Sequence, residues 1–124
     1  LEGLSQSSLF HQIQLAQHIY REISFTLPTQ QVTLHGAIDL LFQDQAGVWQ
    51  LVDWKTEWMR PEERESRAQE HLNQMAVYAL AAKQSIGVLP QVPVCFLGEW
   101  AYLYSFRDEE LLAVWADYGF QPTS

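Results

Sequence analysis

At 124 residues the chain has single-domain length and can bury one core without disulfides or a structural metal. Its content of 48% hydrophobic and 13% aromatic residues excludes a disordered chain, and no apolar run is long enough to cross a bilayer. The formal net charge of −8 counts against a domain that holds nucleic acid by its overall field, although four of the seven Lys and Arg residues (Lys55, Arg60, Arg64 and Arg67) share one short stretch.

The first predicted element is a helix from Ser5 to about Tyr20, with Leu9, Ile13, Ala16 and Tyr20 at helical spacing. Arg21 to Leu27 alternates, Ile23, Phe25 and Leu27 against Glu22, Ser24 and Thr26, and predicts a half-buried strand stopped by Pro28. Val32 to Phe42 and Val48 to Thr56 are two further strands, joined as a hairpin by the turn residues Gln43 to Gly47. Pro61 and Glu62 open a long helix running to about Gln84, and Gly87 and Pro90 end that region. Gln91 to Leu97 and Ala101 to Phe106 predict a second hairpin turning at Gly98-Glu99, and Asp108 caps a last helix bearing Leu111, Leu112 and Trp115. The predicted order α-β-β-β-α-β-β-α suits an α/β domain in which helices flank one mixed sheet.

Cys95 stands alone in the apolar run Val94 to Leu97, so it forms no internal disulfide and makes no zinc or iron–sulfur site by itself. The expectation is a buried, inert thiol in a reducing cytoplasm. No signal peptide is visible, and the chain opens on Leu1 rather than Met, as a fragment of a longer polypeptide does.

Three sets of residues carry possible chemistry. In Leu51-Val52-Asp53-Trp54-Lys55-Thr56, strand alternation points Asp53 and Lys55 the same way, amid neighbours that favour burial. An acid and a lysine there are costly unless paired or functional, and from this strand alone a structural ion pair and a reactive pair both stand open. Asp39 is again one acid in an apolar strand, Gly36 to Phe42, where Gly36 permits close backbone approach. Asp39 and Asp53 flank one short turn, so their strands are neighbours. Two carboxylates that close repel unless a proton or cation lies between them; Lys55 is one candidate, and a hard divalent ion suits the oxygen ligands better. Along the long helix Arg67, His71, Gln74 and Tyr78 form one polar stripe beside an apolar face. That stripe reads either as an ordinary amphipathic boundary or as one wall of a site.

Taken in order, Gly36-x-Ile38-Asp39-Leu40, Asp53-Trp54-Lys55-Thr56 and Gln74-x-x-x-Tyr78 resemble the RecB/AddA branch of the PD-(D/E)XK nucleases, whose fold is restriction-endonuclease-like. Arg21-Glu22, followed by Phe25, resembles the same family's first strand. The resemblance covers about positions 21 to 80 and implies roles residue by residue. Asp39 and Asp53 would ligate Mg²⁺ (or Mn²⁺), with the Trp54 backbone carbonyl as a further ligand. Lys55 would orient or activate the attacking water and stabilise the charged transition state. Glu22 would be a supporting acid, and Gln74, Tyr78, His71 and Arg67 would position DNA. The family also carries a metal-ligating histidine on a helix well upstream of the first strand; His11 and His18 lie too close to Arg21 to correspond, so the expectation is that this ligand lies outside the chain.

The resemblance therefore implies a metal-dependent exodeoxyribonuclease domain working in DNA-end processing and recombinational repair. Its partners would be DNA, a helicase region of the same polypeptide and a partner subunit, with no membrane association. No phosphate-binding Gly-x-x-x-x-Gly-Lys-Ser/Thr loop is present in these residues, so the motor itself is elsewhere. Two rival readings stay open: a non-catalytic nuclease-fold module that binds DNA or a partner, and an acidic α/β interaction domain.

Overall fold

A computed structural model describes residues 6–29, 31–57, 59–97 and 102–119. In chain order its elements are helix α1 (Gln6–Gln14), strands β1 (His18–Pro28), β2 (Thr33–Gln43) and β3 (Trp49–Lys55), a 3₁₀ turn (Pro61–Glu63), helices α2 (Arg64–Glu70) and α3 (Leu72–Ile86), strands β4 (Val92–Phe96) and β5 (Tyr102–Phe106), and helix α4 (Asp108–Asp117). The turn placed at Gly98-Glu99, the helix start at Ser5 and the strand start at Ala101 lie outside the described residues.

The five strands form one sheet in the order β1-β2-β3-β4-β5. All neighbours are antiparallel except β3 and β4, which run parallel. A parallel pair cannot be closed by a tight turn, and α2 and α3 form the crossover between them. β4 is buried along its whole length, as a strand flanked on both edges and covered by a helix must be. Its Cys95 is a free, buried thiol whose pKa is pushed up to about 11 by burial, which leaves it a poor nucleophile.

The sheet separates two apolar clusters. On one face Leu41, Leu51, Val92 and Phe96 pack with Met75, Ala76 and Ala79 of α3 and with Leu111 and Trp115 of α4. Alanines on α3 let α4 approach closely, and the Trp115 indole N–H donates to the Ala76 carbonyl at 2.6 Å. On the other face Leu40, Phe42 and Val52 pack under Leu9, Ile13 and Ala16 of the α1 segment. No helix among the described residues is long and apolar enough to span a membrane.

The predicted element order holds, with three differences. The first helix ends at Gln14 rather than near Tyr20, because His18, Ile19 and Tyr20 pair with Gln43, Phe42 and Leu41 of β2. The sheet's backbone bonds outweigh a helical spacing that Leu9, Ile13 and Ala16 do satisfy. The long helix breaks at His71 (φ −98°, ψ 2°), so it is two helices, not one; Gly87, at φ 86°, ends the second by returning its N–H to the Lys83 carbonyl. The last helix takes Arg107, not Asp108, at its N-cap position.

That last start is fixed by Glu110, which accepts from the Arg107 backbone N–H at 2.9 Å and from Gln69 Nε2 of α2 at 2.8 Å. Burial works to raise the Glu110 carboxyl, but the bonds from the Arg107 backbone and from the Gln69 and Arg107 side chains outweigh it and hold the pKa below the ordinary 4.5. A lowered acid stabilises the fold above its unfolded pKa, and that stability is lost as pH falls through the folded value. Glu110→Ala is therefore expected to lower stability at neutral pH by about 1–2 kcal/mol, with the difference from the parent shrinking below about pH 4; urea unfolding at both pH values reads it.

Candidate active site

The site lies where β2 and β3 part. Their ladder ends at Leu40↔Val52, and beyond it β3 continues beside β4 alone, with Asp53 opposite Val94 and Lys55 opposite Phe96. Asp39 and Asp53, the next two residues, thus stand at the mouth of a fork. Asp39 Oδ2 accepts the Trp54 backbone N–H at 3.0 Å, where continued pairing would have placed a backbone carbonyl.

A slip in strand alternation feeds this arrangement. Ile38 belongs to the α3-side core and Leu40 to the α1-side core, although simple alternation would put both on one face. The β1–β2 register runs from Arg21↔Leu40 to Ile23↔Ile38 and skips Glu22 and Asp39. Glu22 carries φ 52°, a left-handed value that costs a non-glycine residue roughly 1–2 kcal/mol. Strain thus sits directly opposite Asp39.

Asp53 is buried, only 4% exposed. Its Oδ2 lies 2.9 Å from Lys55 Nζ. That contact is an ion pair without hydrogen-bond alignment, and among the described residues this oxygen has no hydrogen-bond partner. Burial drives the Asp53 pKa up; the Lys55 ammonium opposes this, and the nearby Asp39 carboxylate adds to it by repulsion. Lys55 also donates to Gln74 Oε1 at 2.9 Å, and Gln74 Nε2 donates to Tyr78 Oη at 3.1 Å.

The structure thus brings Asp39, Asp53, Lys55, Gln74 and Tyr78 together, with Trp54 between the acid and the lysine. The Trp54 ring turns to the opposite face, 5.8 Å from Phe10. Glu22 is exposed on β1 beside Asp39, and among the described residues no group of three His, Cys, Asp or Glu gathers around a common point. The helical stripe is divided by the break at His71. Arg67 stays on α2, 3.9 Å from Glu70, and His71 Nε2 lies 2.7 Å from Glu57 Oε2, with its ring against Phe96. Glu57 was missed from sequence; it continues the period of two from Asp53 through Lys55. His11 and His18 lie toward the far end of the β2–β3 hairpin, His11 near Asp44 and His18 stacked 6.4 Å from Trp49. Neither serves the fork.

These residues fit a divalent cation. A buried carboxylate oxygen without a hydrogen-bond donor, beside a second carboxylate, is a pair of hard ligands, and Mg²⁺ is commonly held by one or two carboxylates with water and substrate phosphate completing its shell.

A groove of about 450 Å³ between β1, β2 and the C-terminal half of α3 is lined by Tyr20, Phe25, Trp49, Ala82 and other uncharged residues, and it contains none of the fork's charged groups.

A model of the PD-(D/E)XK nuclease superfamily matches residues 4–111. No curated protein matches the chain. With the family match running from the first helix into α4, and so across the whole sheet, the chain belongs to the PD-(D/E)XK nuclease superfamily.

Proposed function

We propose that this domain is a metal-dependent deoxyribonuclease of the RecB/AddA type, an exonuclease acting in DNA-end processing and repair beside a helicase region and a partner subunit. The observation that carries the reading is the ammonium of Lys55 held between buried Asp53 and Gln74 at the mouth of a fork that also holds Asp39. Asp39, Asp53 and the Trp54 carbonyl are the ligands proposed for Mg²⁺ or Mn²⁺. When bound, such an ion neutralises phosphodiester charge and lowers the pKa of water.

The chain's own residues do the rest. An ammonium has three donors; one bonds Gln74 Oε1, and the charge as a whole is held against Asp53 Oδ2. A further N–H is the one proposed to meet a non-bridging phosphate oxygen or the attacking water. A positive charge fixed beforehand at the reacting phosphate stabilises the additional negative charge of the transition state with little reorganisation. Asp53, unable to move far inside the core, keeps that ammonium over the fork.

The net charge of −8, which weakens any grip on DNA, favours a second reading in which the domain does not cut: a nuclease-fold module that binds a partner, or DNA through a local basic stretch. Incubating the chain with linear single- and double-stranded DNA under Mg²⁺, Mn²⁺ or chelator separates the two. Loss of DNA with either ion, abolished by chelation, is expected. DNA left intact under every condition, with a gel shift retained, would establish the binding module instead.

A further inference from the structure

Behind Lys55 the side chains form a continuous column. Gln74 is exposed on the first turn of α3, and a long lysine paired to an exposed amide loses considerable rotamer freedom for a weak bond. The pairing needs support from behind, and Tyr78 supplies it. Tyr78 Oη accepts from Gln74 Nε2, which turns Gln74 Oε1 toward the ammonium. The Tyr78 ring is itself seated: it meets Phe25 edge to face, with centroids 5.3 Å apart at 80°. Under both rings lies Gly36, the cross-strand partner of Phe25. A Cβ at Gly36 would stand 2.8 Å from Phe25 Cε2 and Cζ and 2.9 Å from Tyr78 Cε1, so any side chain there displaces one ring or the other.

We infer that Phe25 and Gly36 are positioning residues for the reaction. They seat Tyr78, Tyr78 sets the face of the Gln74 amide, and Gln74 holds the Lys55 ammonium over the fork. The inference rests on the nuclease reading above and gives Gln74 and Tyr78 the task of holding the lysine in place of contacting DNA.

The test compares the parent with Gly36→Ala, Phe25→Leu and Tyr78→Phe, the last removing only a hydroxyl. Three quantities are measured: kcat and KM on single-stranded DNA with Mg²⁺, DNA affinity with Ca²⁺ in its place, and the NMR order parameter of the Lys55 ¹³Cε methylene without DNA. All three variants are expected to lose kcat by on the order of 10–10²-fold, with KM and Ca²⁺-state affinity within about two-fold of the parent and a more mobile Lys55. A loss that falls on KM and DNA affinity with kcat retained would show Gln74 and Tyr78 to be DNA contacts and overturn the inference. So would a Lys55 methylene as rigid in Tyr78→Phe and Phe25→Leu as in the parent. If the parent itself cuts no DNA, the nuclease reading fails, and the order parameter still decides whether the column holds Lys55.

Discussion

Replacing Lys55 with alanine is expected to slow DNA cleavage by on the order of 10²–10³-fold, the usual cost of removing one preorganised charge from a transition state. Metal binding should survive. The ammonium now lies 2.9 Å from Asp53 Oδ2 and competes with any cation for that oxygen. Without it that oxygen loses a competing cation, while the carboxyl also loses the ammonium that favours its charged form. The two effects oppose each other, and Mn²⁺ should still raise the melting temperature of Lys55→Ala, as it does that of the parent. Cleavage and metal-induced melting shifts, measured on the same preparations, test both halves. Normal cutting by Lys55→Ala would remove the lysine from the mechanism.

Asp53→Asn should behave in the opposite sense. It removes a buried charge whose pKa is raised first by burial and further by Asp39. For an acid with a raised folded pKa, the folded state keeps a proton that the unfolded state releases, so stability falls as pH rises through that window. Without metal, therefore, the variant should be at least as stable as the parent at neutral pH, with its advantage vanishing toward acid pH. With metal the order reverses. The parent gains about 2.7 kcal/mol at an ion concentration of 100 Kd, while Asp53→Asn gains little and cuts no DNA. Equal Mn²⁺ stabilisation of the two proteins would rule Asp53 out as a ligand.

Much of the site is legible in the sequence because polar residues are out of place. Asp39, Asp53 and Lys55 each interrupt an apolar strand, and a strand's period of two is enough to put Asp53 and Lys55 on one side. Gly36 likewise signals a close approach, and the rings of Phe25 and Tyr78 make it. The order of strands and helices follows from local patterns: alternation in β1, Asp44 and Gly47 in the hairpin turn, and Gly87 ending α3.

Other features depend on contacts between distant segments. The end of α1 is decided by β2, which claims His18 to Tyr20 as strand partners. The break at His71 coincides with a bond to Glu57, fourteen residues earlier, and it takes Arg67 out of the stripe shared with Gln74 and Tyr78. The fork itself cannot be read locally. Asp39 and Asp53 meet there because the β2–β3 ladder stops while β3 continues beside β4, and β4 arrives only after the two-helix crossover. Periodicity reports which way a side chain faces within its own element; which element lies opposite is set by long-range backbone pairing and by burial of the faces that remain, and only the tertiary structure contains those.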